Sequence, residues 1–170
     1  MMSEQTKLSP KRVLCIITGL LLIASIFLPL VTLDLSGLDL TDEDIKTIEE
    51  ELNIEIKDRK LDVSLYILYR LLDTLIRRGY VPEEAKQAFQ YFLYAILFSI
   101  LMLVIAAILA FLGRPGKAGS IGISWGIMII LITTKLKERL AEAGLSISLA
   151  IGTYILIIAG ILGFIAKYIG

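Results

Sequence analysis

The sequence predicts an all-α membrane protein: four transmembrane helices in an antiparallel bundle, with a small, mainly helical extracytoplasmic module between helices 1 and 2. Three observations carry that prediction. Four runs, Val13–Val31, Ala88–Leu112, Ala118–Thr134 and Ile147–Ala166, contain no Asp, Glu, Lys or Arg. A charge-free apolar helix of about 17–25 residues matches the ~30 Å hydrocarbon core of a bilayer. Hydrophobic residues make up 56% of the chain and its mean hydropathy is +0.80, so little of it is left to form a water-soluble domain. From Asp34 to Lys86 the chain carries 14 acidic and eight basic residues, which assigns that segment to water.

Residues 1–12 form a polar tail ending in Pro10, Lys11 and Arg12, and residues 13–31 form the first span. The run is longer than a signal-peptide core and no A-x-A-like site follows it, so it reads as a retained helix. Residues 32–87 form the acidic module. Thr32–Leu40 alternates around a Ser-Gly break and fits a short strand or a turn. Thr41 then caps a helix over 42–52 whose first turn is acidic, where negative charge meets the positive end of the helix dipole. Asn53–Lys57 alternates again, as a second short strand. Over 62–78 an amphipathic helix presents Leu65, Leu68, Leu72 and Leu75 on one face and Arg70, Arg77 and Arg78 on the other. Such a helix either lies in the membrane interface or packs on the ends of the spans; the sequence leaves both open. Gly79 suits its C-terminal cap.

The second span covers 88–112, in a helix that starts near residue 82 with Pro at its first position. Residues 113–117, Gly-Arg-Pro-Gly-Lys, make a tight basic turn. The third span is 118–134, an outer loop follows over 135–146, the fourth span is 147–166, and residues 167–170 return to the first side. Basic residues gather at the tail, the basic turn and Lys167, and acids follow the first span. By the positive-inside rule the N- and C-termini are cytoplasmic and the loop 32–87 is extracytoplasmic, in a multi-pass protein of the cell membrane. Trp125, Tyr80, Tyr91 and Tyr94 fit interfacial belts. Abundant Ile and scarce Asn, Gln and Cys point to a thermophilic source.

Helices in lipid associate through small residues that let backbones approach. Gly122 and Gly126 form such a pair in the third span, and Gly144, Ser148, Gly152, Ala159 and Gly163 form a series in the fourth. The first use expected of them is packing within one four-helix unit, the second a contact between copies.

The chemistry available is narrow. There is no His and one Cys, Cys15, which argues against a metal centre or a disulfide within the chain. No cofactor and no catalytic residue is expected. The zero net charge argues against nucleic acid. No span holds the ionisable group that a proton-coupled carrier needs.

The layout resembles that of claudin-type tetraspans. The Phe27–Leu33 exit from the first span and the Gly152-Thr153-Tyr154 start of the fourth are similar to prokaryotic four-helix membrane proteins of unknown function. The likeness implies topology and carries no activity or site. The expectation is a non-enzymatic tetraspan acting by protein–protein contact, as an accessory subunit of a membrane complex or a self-assembling envelope component. Its partners are the lipid bilayer and other membrane subunits or itself. The alternative is an oligomeric channel or small-solute transporter, with Thr153, Ser124 and Ser99 as pore-lining candidates.

Overall fold

The computed structural model describes residues 9–38, 40–52, 54–77, 79, 83–142 and 145–169. In chain order the elements are α1 (Pro10–Phe27), β1 (Val31–Asp34), α2 (Asp42–Leu52), β2 (Ile56–Lys57), β3 (Lys60–Val63), α3 (Leu65–Arg77), α4 (Glu83–Phe111), α5 (Pro115–Glu142), β4 (Ser146–Leu149) and α6 (Ile151–Tyr168). The protein is mostly helical, and α1, α4, α5 and α6 are each long and apolar enough to cross a membrane.

These four helices come in two lengths. At ~1.5 Å per residue, α4 and α5 reach about 42–44 Å, whereas α1 and α6 reach about 27 Å. The reason for the short pair is local. Pro29 disfavours helical geometry at the residue before it, and Leu28 is accordingly extended, at φ −75° and ψ 144°. The chain passes from there straight into β1, and β4 passes straight into α6. The sheet therefore sits on the ends of the short pair. The longer α4 and α5 extend beside it, α4 against α3 and α5 against β4.

Side by side, α1 lies against α4 and α6, and α5 lies against the same two helices. Their shared core is built from Leu22, Ile26, Leu103, Ala106, Ala110, Leu156 and Ala159, all buried. Trp125 is half-buried and packs on this core. The α4–α5 turn is locked by two hydrogen bonds: Gly113 N–H donates to the Ala110 carbonyl at 3.0 Å and Arg114 N–H to the Leu109 carbonyl at 2.8 Å. That is a Schellman cap, and it requires the left-handed residue that Gly113 supplies at φ +76°. Pro115, which lacks an N–H, then opens α5 where none is needed.

The sheet has four strands in the order β2-β3-β1-β4, all antiparallel neighbours. Alternation sorts its faces. Leu33 stands between Leu61 and Ile147 on the covered face, and Thr32 between Asp62 and Ser148 on the open one. A second core forms under it from Ile56, Leu61 and Val63, with Leu33, Ile45, Ile48 and Leu68 packed against them. The β2–β3 hairpin turns on Asp58 and Arg59, both with positive φ (50° and 59°), the pattern of a type I′ turn.

Residues 31–77 hold two helices, α2 and α3, and three of the sheet's four strands, the fourth coming from Ser146–Leu149. Three expected boundaries need correction. Residues 147–149 belong to β4 and not to the fourth span, since Ser146-Ile147-Ser148-Leu149 alternates with period two and pairs with β1. The 135–146 connection is no loop over most of its length: α5 runs on to Glu142, because Lys, Leu, Glu and Arg are strong helix formers. Charge ends a span without ending a helix. In the same way the first residues of the expected 62–78 helix belong to β3, and α3 begins at Leu65.

Candidate functional site

The end of α1 and the start of α6 form one polar junction. The α6 N-cap, Ala150, has no side chain able to cap, so the first N–H groups of the helix need acceptors from elsewhere. Pro29 and Leu30 supply them. Gly152 N–H donates to the Pro29 carbonyl at 2.7 Å, and Ala150 N–H to the Leu30 carbonyl at 2.9 Å. The Thr153 hydroxyl, fully buried, donates to the same Leu30 carbonyl at 2.7 Å. Leu30 N–H in turn donates to the Val63 carbonyl at 2.9 Å. The end of α1, the start of α6 and β3 are thereby fastened at one point. Only glycine fits at 152, where a Cβ would lie 2.6 Å from the Pro29 oxygen and 2.9 Å from that of Leu28.

The small residues of α5 and α6 meet within the chain. A Cβ on Gly119 would fall 2.5 Å from the Gly160 oxygen, and one on Gly163 would fall 2.6 Å from the Pro115 oxygen. Gly122 faces Leu22 and the Leu156 carbonyl, Gly126 faces Ile157, and Ala159 is fully buried in the helix core. Ser148 stands apart from this seam, exposed on β4. Gly144 lies outside the described residues. Gly119 and Gly160 are the closest contacts of the seam, and the sequence reading missed them. Their signal was the continuation of the 3–4 spacing from Gly122 back to Gly119.

On α3, Leu65 packs against the helix core, Leu68 against the sheet core, and Leu72 is buried; Leu75 is half-buried. The helix touches α4, α1, α2 and β3. Arg70 is half-buried, and exposed Arg77 pairs with Asp73 at 2.9 Å. Arg78 lies outside the described residues. Gly79 follows in the left-handed region at φ +74°. Of the pore-lining candidates, Thr153 is committed to Leu30, Ser99 donates to its own helix at Ala95 (2.7 Å), and Ser124 is exposed on α5.

The two ends of the molecule differ in charge. On the open sheet face Thr32, Asp34, Lys60, Asp62 and Ser148 line a polar cleft, in which the Thr32 hydroxyl donates to Asp62 at 2.5 Å. Hydrogen bonds from the Ser36 hydroxyl and amide hold the Asp34 carboxyl below its usual pKa. At the opposite end Lys11, Arg114, Lys117 and Lys167 line a second cleft, with Gly116 and Phe164 among its walls. Sequence reasoning used those four cations as markers of orientation and did not foresee that three separate helix ends bring them together. Among the described residues no group of three or more His, Cys, Asp or Glu is placed to hold a metal ion. The chain matches no family model, no curated protein and no solved structure.

Proposed function

We propose that the chain is a non-enzymatic, four-span integral membrane protein that works by protein–protein contact, as an accessory subunit of a membrane complex or a self-assembling envelope component. In this reading both termini and the basic turn are cytoplasmic, and the sheet with α2 and α3 stands on the outer side of the cell membrane. The observation that supports it is the fastening of the sheet to the spans through Leu30, Ala150, Gly152 and Thr153. A module tied to two helices by short hydrogen bonds is a rigid surface held at a fixed height above the bilayer, which suits docking. Gly119, Gly122, Gly126, Gly160 and Gly163 are packed inside the unit, and α4 turns Tyr91, Phe92, Tyr94 and Phe98 outward. That leaves large apolar side chains for lipid or for a neighbouring subunit.

The test is gentle extraction of the tagged protein from its own membranes, followed by mass analysis of the intact assembly. A stoichiometric foreign partner identifies an accessory subunit, and a homo-oligomer of fixed size identifies a self-assembling one. A lone monomer at native abundance contradicts the contact reading. Ion flux in liposomes holding only the purified protein would shift the assignment to a channel.

A further inference from the structure

At the end remote from the sheet, the described residues include Lys11, Arg12, Arg114, Lys117 and Lys167 and no Asp or Glu. Four of the five are drawn into one open cleft of about 350 Å³: Lys11 from the start of α1, Arg114 and Lys117 from the α4–α5 turn, and Lys167 from the end of α6. Like charges repel, yet among the described residues no acid pairs with any of them. The backbone holds the arrangement. The Gly113 cap fixes Arg114 at the turn. Gly116 leaves room for the Lys167 stem, whose Cδ lies 2.7 Å from where a Cβ would stand. The N–H groups of Gly116 and Lys117, in the first turn of α5, have no carbonyl one turn back within the helix. The α5 dipole adds its positive end to the same place. Phe164 provides one apolar wall, and Leu112, beside the turn, is 71% exposed.

We propose that this cleft binds a phosphate-bearing anion, carried by a phospholipid headgroup or by a soluble phosphoester. Converging cations with free N–H donors match the charge and the several acceptor oxygens of a phosphate. The apolar residues beside them match the start of an acyl chain. The lipid source rests on the membrane reading given above; the soluble source does not. A general preference of basic residues for the cytoplasmic leaflet needs no cleft. Arg12 separates the two ideas, because it is exposed at the same end and lies outside the cleft.

The experiment uses the full-length protein in detergent micelles doped with phosphatidylglycerol or phosphatidylcholine, with retained lipid read by native mass spectrometry. A parallel titration uses glycerol 1-phosphate without added lipid. Phosphatidylglycerol retention is expected to exceed that of phosphatidylcholine and to survive Arg12→Gln. It should fall about fivefold for each cation removed in Lys117→Gln and Lys167→Gln. Gly116→Leu fills the cleft at unchanged charge and should lower retention as well. Saturable binding of glycerol 1-phosphate with the same variant pattern, and no preference for phosphatidylglycerol, assigns the soluble source. The proposal is overturned if Arg12→Gln weakens binding as much as Lys117→Gln, or if neither probe binds. Unfolding midpoints check that each variant is folded; if Gly116→Leu is not, the comparison of Arg12→Gln with the two lysine variants decides alone. Should the protein fail to fractionate with membranes, the membrane reading falls and the glycerol 1-phosphate titration still tests the cleft.

Discussion

The Thr153 hydroxyl donates to the Leu30 carbonyl at 2.7 Å, joining residues 123 positions apart. Leu30 keeps a second donor in Ala150 N–H, so Thr153→Val removes one hydrogen bond without orphaning the carbonyl. The expected cost is about 1 kcal/mol, read as a lower unfolding midpoint of the purified protein by the fluorescence of its single Trp. Thr153→Ser keeps the donor and should recover most of it.

The same substitution should act in the opposite direction at Thr18. Its hydroxyl is fully buried in α1 and has no hydrogen-bond partner among the described residues, and an unmet buried hydroxyl costs free energy. Thr18→Val keeps the shape and removes the polar atom. We expect a gain of about 1 kcal/mol in the same measurement; a loss would mean that the hydroxyl has an acceptor.

At Gly152 a methyl group would meet backbone oxygens and not a yielding side chain. Gly152→Ala is therefore expected to cost about 3 kcal/mol, the upper range for overpacking. Because the clash lies at the junction, hydrogen exchange should quicken in β1 and β4 before it does in the middle of α4.

The β2–β3 turn holds two residues with side chains at positive φ, Asp58 and Arg59. Asn-Gly is the pair such a turn prefers. Asp58→Asn combined with Arg59→Gly should raise stability by about 1 kcal/mol. The Arg59–Asp42 contact that would be lost, 3.7 Å long with an exposed Asp42, is too weak to reverse the sign.

Acid should loosen the start of α2. Thr41 N–H donates to the Asp44 carboxylate at 2.9 Å and Asp44 N–H to the Thr41 hydroxyl at 3.2 Å, a reciprocal cap. Bonds from the Thr41 hydroxyl and amide hold the Asp44 pKa below its usual value. A carboxyl with a lowered folded pKa contributes fully above its unfolded pKa, about 4, and loses that contribution as the pH falls through the folded one. Amide protection at Thr41 and Asp44 should drop between pH 5 and pH 2, and Asp44→Ala should abolish the pH dependence.

The four long apolar helices were legible because the feature that defines them, absence of charge over a helix length, is carried by single residues. Their limits were less so. Leu149 and Ile147 are as apolar as their neighbours in α6, and only the intervening Ser146 and Ser148 disclose a strand. The sheet was only partly foreseeable for a further reason. Alternation at Thr32–Leu40 suggested a strand at the end of α1, but the partner of β1 at Ser146–Leu149 lies beyond four helices, α2 to α5, and no local pattern specifies a pairing across that distance. The seam between α5 and α6 was half visible: Gly122, Gly126 and Gly163 follow helical spacing, whereas what each faces depends on how the helices cross. Lys11, Arg114, Lys117 and Lys167 are far apart in sequence, so their cleft exists only once the ring of helices has closed.

The junction also orders events for a chain made from its N-terminus onward. β1 can pair with β3 as soon as Val63 is available, but its other edge stays bare until Ser146–Leu149 has been synthesised. An uncovered strand edge is a template for pairing with another chain. Through the delivery of α4 and α5, the half-built sheet is therefore at its greatest risk of joining the wrong neighbour, and the arrival of β4 ends that exposure.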